Sequence, residues 1–383
     1  MYNAQGICPE LNFPMHDHAK PAKDIAINGR FLAQKLSGVQ RYAREITRAL
    51  DAMILADPDG LGRRRWLLIV PEGVRADHPL QAIETVHYGS RQGHLWEQWD
   101  LLRAARGQRL VNLGNSGPIL HRDSITVIHD VAVFRTPQNF GPRYGKAHRM
   151  LSRILSRTSR LGTVSNFSRD ELSAVLGVDR ERIFVAYNGS DHLVGRAADE
   201  SVLIELALTP GRYFLFVGSP APNKNLAVAL DAFARLGRPD IRFVVAGSLN
   251  NAVFGGRAPD EIPGVVVASG RSDAAISALY ANAAALLFPS RYEGFGIPPL
   301  EAMVHGCPVI ASDIPVLRET CGEAAIFFDP DDAATLARLM AEQLDNPDRR
   351  AREAAARERV AMFTWNRGAA SLAQAILAAD RSG

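Results

Sequence analysis

Hydrophobic positions along the chain fall into short dense runs, separated by longer stretches in which apolar residues recur every three or four positions. The dense runs are Ile25–Ile27, Trp66–Val70, Leu110–Leu113, Thr126–Ile128, Ile183–Ala186, Tyr213–Val217, Phe243–Ala246, Val265–Val267, Ala285–Phe288, Val309–Ala311 and Ile326–Phe328. They are rich in β-branched and aromatic residues and too short for helices, so they predict buried strands. Val39–Leu55, Asn225–Leu236, Ala275–Ala283 and Thr335–Leu344 carry the helical period instead. Alternation of this kind predicts βαβ units and parallel sheets covered by helices on both faces. The strands are too many for one comfortable open sheet, so two α/β domains are expected.

The boundary falls between Asp191 and Gly211, where Leu193–Glu200 loses periodicity. Tyr213–Val217, Gly218 and Lys224 onward then repeat the strand, glycine loop and helix of Ile25–Ile27, Gly29 and Ser37 onward. The predicted organisation is an N-terminal extension (1–23), a first domain (24–200), a second (201–362) and a last helix (363–383) crossing back to the first. In open α/β sheets ligands gather beyond the carboxyl ends of the strands, so chemistry is expected in the cleft between the domains.

Composition narrows the choice. The 383 residues are 47% hydrophobic and 22% charged, ordinary for a well-cored protein, which excludes a disordered chain, a collagen-like repeat and a coiled coil. The net charge of +3 is too small to argue for nucleic acid. No apolar run approaches the roughly 18 residues of a spanning helix, and Met1–Lys23 lacks a signal-type apolar segment. Three widely spaced cysteines fit a reducing compartment, so a cytoplasmic location is expected.

The stretch Phe288–Pro308, FPSRYEGFGIPPLEAMVHGCP, carries the most chemistry. A strand ends at Pro289 and Glu293 follows in the loop. Gly294-Phe295-Gly296 then allows close backbone approach to a ligand. Pro298 suits a first helical turn, whose free N–H groups form an anion site. Glu301 lies in that opening turn. Two carboxylates eight positions apart therefore flank a phosphate-competent loop, and carboxylates accept hydrogen bonds from sugar hydroxyls in pairs.

Glu293 and Glu301 in this setting resemble the E-x7-E signature of the retaining family-4 (group 1) glycosyltransferases. The resemblance continues through Gly29-Arg30, Ser37-Gly38-Val39, Arg41-Tyr42, His129-Asp130, Thr163-Val164-Ser165, Phe167-Ser168, Asn188-Gly189 with Asp191, Val217-Gly218-Ser219, Lys224-Asn225, Pro308-Val309-Ile310, Glu319, Gly322 and Asp329-Pro330. It covers the chain from about residue 24 onward. It implies the GT-B fold, two Rossmann-like doubly wound parallel-sheet domains facing a central cleft. It further implies that Glu293 contacts the transferred sugar and Glu301 the ribose of the nucleotide. Gly294, Phe295, Gly296 and Ile297 would face sugar and diphosphate, with Ser219, Asn223 and Arg271 nearby. Lys224 would neutralise the diphosphate, Gly38 would approach it from the opposite domain, and His129 would lie beside the anomeric centre. The family commonly has arginine before the lysine where this chain has Asn223, so Arg271, Arg30 or Arg41 is expected to compensate.

The implied activity is retaining, metal-independent hexosyl transfer from a nucleotide-diphosphate sugar to a glycan or lipid-linked saccharide in surface-polysaccharide assembly. Mannose from GDP-mannose is the expected donor pair, with no other cofactor. A nucleotide-sugar epimerase, a sucrose-type synthase and a non-catalytic sugar-binding protein remain as alternatives. Asp57-Pro58-Asp59 and Asp329-Asp331 resemble metal-binding pairs but are explained by turn chemistry. Trp96 and Trp99, three apart, suit core packing better than sugar stacking. Arg143, Lys146, Arg149, Arg153, Arg157 and Arg160 fall in one helical arc of about 120°, opposite Tyr144, Ala147, Leu151, Ile154 and Leu155. That face suits either solvent or the anionic inner surface of the cell membrane.

Overall fold

The computed structural model describes residues 23–75, 79–219, 221–247, 262–345 and 352–381. The expected extension, except for Lys23, lies outside them.

Among the described residues thirteen strands form two wholly parallel sheets. The first contains β1 (Ile25–Asn28), β2 (Trp66–Val70), β3 (Ile83–His87), β4 (Arg109–Asn112), β5 (Ser124–Val127), β6 (Ser159–Thr163) and β7 (Phe184–Val185), in the order β3-β2-β1-β4-β5-β6-β7. The second contains β8 (Tyr213–Val217), β9 (Arg242–Ala246), β10 (Val265–Ala268), β11 (Ala285–Phe288), β12 (Val309–Ser312) and β13 (Ala325–Phe328), in the order β10-β9-β8-β11-β12-β13. Central strands such as WLLIV and ALLF are buried throughout, because helices cover both faces of a parallel sheet. The helices used below are α1 (Gly38–Ala56), α2 (Pro142–Thr158), α3 (Asn166–Leu176), α4 (Leu226–Leu236), α5 (Asp273–Asn282), α6 (Ile297–Val304), α7 (Pro315–Cys321), α8 (Ala333–Asp345) and α9 (Trp365–Arg381).

Strand order reverses between β1 and β4 and again between β8 and β11. Those switch points are where crevices open in such sheets, and the loops after these strands carry the expected site residues. The two α/β lobes make this a GT-B fold.

Two strands escaped the hydrophobic pattern. β3 is an edge strand whose residues after Ile83 are partly exposed, so its sequence IETVH has no dense apolar run. β6, SRLGT, begins polar and contains Gly162, whose Cβ would collide with the Phe184 ring at 2.3 Å. This strand also corrects the basic arc. Arg160 lies in β6 rather than on the helix and donates to the Ala375 carbonyl at 3.2 Å. Arg149 reaches the Val133 carbonyl at 2.9 Å, and Arg153 sits over the Phe134 ring. On the opposite arc Leu155 is buried, whereas Tyr144 and Ala147 are exposed.

The helix α9 packs along α1 of the first lobe. Its start is fixed by Asp191, whose Oδ1 accepts the Trp365 backbone N–H at 2.8 Å, an N-terminal cap supplied from a distant loop. A Cβ on Gly189 would meet the Trp365 nitrogen at 2.3 Å, so only glycine fits there. Asp380 closes the other end, pairing with Arg64 at 2.9 Å and Arg109 at 2.5 Å. Leu372 and Ile376 are wholly buried in the core shared with Ile46 and Leu50. Leu372→Ala is expected to cost about 2–5 kcal/mol, read as a lowered urea midpoint with unchanged slope.

Candidate functional site

The site is assembled where the loop after β11 meets the loop after β5. Gly294 lies so close to the first lobe that a Cβ there would be 2.3 Å from the His129 carbonyl oxygen. Two hydroxyls hold this approach. Ser165 Oγ donates to the Gly294 carbonyl at 2.6 Å, while the same oxygen caps α3 by accepting from the Ser168 N–H at 2.9 Å. Ser168 Oγ lies 2.9 Å from the Gly294 carbonyl and 3.0 Å from that of His129, so one hydroxyl spans both loops. The second lobe reciprocates through Glu319 on α7. Its carboxylate accepts the Asn166 and Phe167 N–H groups at 2.7 and 2.9 Å, where the helix dipole favours negative charge. The Tyr187 hydroxyl adds a third bond to Glu319 at 2.9 Å.

Within this junction the Lys224 ammonium pairs with Glu293 Oε1 at 2.6 Å. Both side chains are largely shielded, and the Phe288 ring lies under the ammonium at 5.6 Å. Asp130 is near enough to feel both charges. Burial, then Glu293, push its carboxyl up, against the Ala132 N–H and Lys224.

Gly296 takes φ +89°, a left-handed conformation that glycine adopts without strain, and it caps α6. Pro298 and Pro299 have no N–H, so the free donors at this helix start are Gly296 and Ile297. Neither has a protein acceptor among the described residues. Gly38 of α1 sits opposite, its Cβ position 3.8 Å from Ile297 Cδ1. Phe295 is different: its ring is buried against Tyr187 and Phe363, so only its backbone can meet a ligand.

Glu301 is held from two sides. The Tyr280 hydroxyl donates to Oε2 at 2.9 Å. Trp365 Nε1 donates to His192 Nδ1 at 3.2 Å, which leaves the proton on Nε2; that atom lies 3.2 Å from Glu301 Oε1, bent away from good hydrogen-bond alignment. A carboxylate has about four acceptor positions, so capacity for hydroxyl groups remains. Beside it Arg41 of the first lobe forms a bidentate pair with Asp273 of the second, at 2.9 and 2.5 Å.

The arginines expected to offset Asn223 are engaged elsewhere. Arg271 pairs with Glu205 at 2.5 Å, Arg30 with Glu97 at 3.1 Å and Arg41 with Asp273. Asn223 instead braces the Glu293 loop, donating Nδ2–H to the Tyr292 carbonyl and accepting the Arg291 N–H through its own carbonyl. A neutral amide can do this without placing a second cation beside Lys224. Ser219 follows β8 as an exposed loop residue. Trp96 is buried but Trp99 is 55% exposed, so the pair divides between core and surface. Asp57 caps its own turn at Gly60 and Leu61, and Asp331 pairs with Arg291.

Ser165, Ser168, Tyr280, His192 and Glu319 acquired no role from sequence. The serines and Glu319 lay within matched motifs, but their partners are 126 to 153 residues away.

Comparison with known proteins fits this geometry. The family model "Glycosyltransferase Family 4" matches residues 36–192, and "Glycosyl transferases group 1" matches 204–359. One glycosyltransferase family model thus falls on each lobe of the GT-B fold, and the two together span most of the chain. The chain is 32% identical over 228 residues to the O-antigen chain mannosyltransferase RfbU of Salmonella typhimurium, covering 56% of this chain and 59% of that protein. It thus spans about three fifths of that relative's length. It is 28% identical to O-antigen chain mannosyltransferase B of Escherichia coli, covering 63% of this chain and 67% of that one. Among solved structures, Anabaena Alr3699/HepE in complex with UDP and glucose superposes with a TM-score of 0.70 at 16% identity, over 93% of this chain and 100% of the other.

His129 is buried, and Nε2 faces the Leu113 carbonyl at 2.9 Å, so that nitrogen carries the proton. The donor is therefore spent within the protein. Burial pushes the imidazole down to about 4, so the ring is neutral at pH 7. An unfolded chain binds this proton near pH 6.5 while the folded one resists it. Stability is therefore expected to fall as pH drops from 6.5 towards 4, by roughly 3 kcal/mol from this residue once complete. Urea unfolding across that window checks it, and His129→Asn should flatten the slope.

Proposed function

We propose that the chain is a retaining hexosyltransferase that moves mannose from GDP-mannose to a glycan or lipid-linked saccharide during surface-polysaccharide assembly. The observation that carries this reading is the Lys224–Glu293 pair at the junction of the lobes, with Glu301 beyond the helix start at Gly296. The relatives named O-antigen mannosyltransferases support the sugar and the setting.

In the proposed reaction the donor diphosphate draws the Lys224 ammonium away from Glu293, assisted by the Gly296 and Ile297 N–H groups and by Gly38 across the cleft. Glu293, released, accepts hydrogen bonds from hydroxyls of the sugar. Glu301 accepts from the ribose. The acceptor hydroxyl attacks the anomeric carbon on the face the diphosphate leaves. The bond from that carbon to the phosphate oxygen breaks, its electron pair goes to the diphosphate, and that oxygen takes the acceptor's proton. Configuration is retained. The protein contributes positioning and charge stabilisation, and neutral His129 walls the acceptor side without donating its proton.

Glu293→Gln is expected to lower turnover at least about 100-fold while nucleotide binding, followed by thermal shift, persists. Retained turnover would count against the reading. Incubating GDP-mannose without acceptor separates the rivals: an epimerase alters the donor, a transferase leaves it intact.

The proposed setting is the cytoplasmic face of the membrane. Among the described residues no helix is long and apolar enough to cross a membrane. The outer face of α2 presents Arg143, Lys146, Arg153 and Arg157 around exposed Met150, a mixture suited to anionic headgroups, each cation contributing roughly 1 kcal/mol. Co-sedimentation with phosphatidylglycerol vesicles is expected to exceed that with phosphatidylcholine, and reversing Lys146 and Arg157 to glutamate should abolish the difference.

A further inference from the structure

Three parts of the chain meet at Asp273. It sits in the first turn of α5, whose start is capped by Ser272, accepting the Ala275 N–H at 3.2 Å. From the first lobe Arg41 grips it with two bonds, at 2.9 and 2.5 Å. From the segment joining the lobes, Arg196 Nη1 approaches the same carboxylate at 3.4 Å. The Asp199 N–H adds a bond to the Ala274 carbonyl at 3.0 Å. The Arg41 and Asp273 side chains are mostly shielded, at 15% and 27% exposure. Burial alone would raise the Asp273 carboxyl, but Arg41, His192 and Arg196 hold it below the ordinary range, so it is charged at pH 7. A guanidinium fork fixes direction as well as distance, which a lysine ammonium does not.

Each partner of this pair leads to a residue of the cleft. Gly38 lies three residues before Arg41 at the start of α1, and its Cβ position is 3.8 Å from Ile297 Cδ1 of α6. Tyr280 lies seven residues after Asp273, two turns along the same face of α5. Its ring is wholly buried, and its hydroxyl donates to Glu301 Oε2 at 2.9 Å. The joining segment repeats the pattern. His192 Nε2 lies 3.2 Å from Glu301 Oε1, four residues before Arg196 reaches Asp273. Two separate elements therefore run from the pair between the lobes to the two oxygens of Glu301.

We propose that Arg41 and Asp273 are positioning residues: their pair locks α1 of the first lobe to α5 of the second and so holds Gly38 and Glu301 at a fixed separation for a nucleoside diphosphate between them. The proposal rests on the glycosyl-transfer reading above, in which Glu301 takes the ribose and Gly38 the diphosphate. Neither member of the pair touches the nucleotide. Each is satisfied by the other, and parting them leaves a shielded charge without its counter-charge. A cleft held in this way binds its ligand without first having to order two loose lobes.

The test uses the full chain with Arg41→Gln, Asp273→Asn and the two combined, each checked for folding by thermal unfolding. GDP and UDP are titrated calorimetrically, and X-ray scattering gives the radius of gyration without nucleotide. Whichever nucleotide the unsubstituted chain binds is expected to bind about tenfold more weakly to each single variant. The double variant should be no weaker, since each substitution removes the same pair. The radius of gyration is expected to rise in all three and to return when nucleotide saturates. With GDP-mannose the loss should fall on KM, with kcat changing less than about twofold, because the pair touches no reacting group. Weaker binding in Arg41→Gln alone would show the guanidinium contacting the diphosphate directly, and overturns the proposal. Unchanged nucleotide affinity in all three, additive losses, an unchanged radius of gyration, or a fall in kcat at unchanged KM overturns it as well. A radius that rises in a chain that takes neither GDP nor UDP overturns the transfer reading instead.

Discussion

Two serine hydroxyls of one lobe converge on a single backbone carbonyl of the other, and the geometry of the cleft follows from that convergence. Gly294 must lack a side chain for the carbonyl to come within reach, and Ser165 must be a helix cap for its hydroxyl to point there. Glu319 closes the arrangement by capping the same helix from the opposite lobe. Each bond alone is worth little more than 1 kcal/mol, or somewhat more where charge is involved. Together they set the distance between the His129 and Glu293 loops, and hence everything those loops hold.

The charges inside the cleft are balanced within the protein. Lys224 is satisfied by Glu293, Arg41 by Asp273 and Arg30 by Glu97, so the cleft holds pairs rather than bare ions. Leaving one partner of a shielded pair unmatched is costly, whereas replacing it by a ligand group of the same sign is not. Neutral His129 fits the same logic, since a further cation beside Asp130 and Lys224 would compete for the same counter-charge.

The fold was legible because parallel strands buried on both faces spell themselves out: YFLFV and ALLF have no other plausible fate. β3 and β6 were not legible, one for its half-exposed edge position and the other because its pattern merged with a basic helix. Glu293, Glu301 and Lys224 stood out because glycines and prolines mark the turns after β11 and β8 that lead to them. Glu319, Ser168 and Tyr280 did not, since hydrogen bonds between residues far apart leave no local period. The bracing role of Asn223 went unread for a related reason. Its amide answers a neighbouring carbonyl, a partner that residue type alone does not reveal.

The last helix has a temporal meaning as well as a spatial one. Residues 365–381 complete the outer layer of the first lobe, yet they are synthesised some 180 residues after that lobe's final strand. The first lobe therefore cannot mature during translation as an independent unit. Its Arg64, Arg109 and the apolar flank of α1 wait uncovered while the entire second lobe is made. Emergence of residues 365–381, and not of the first 200 residues, sets the moment at which this molecule can lock.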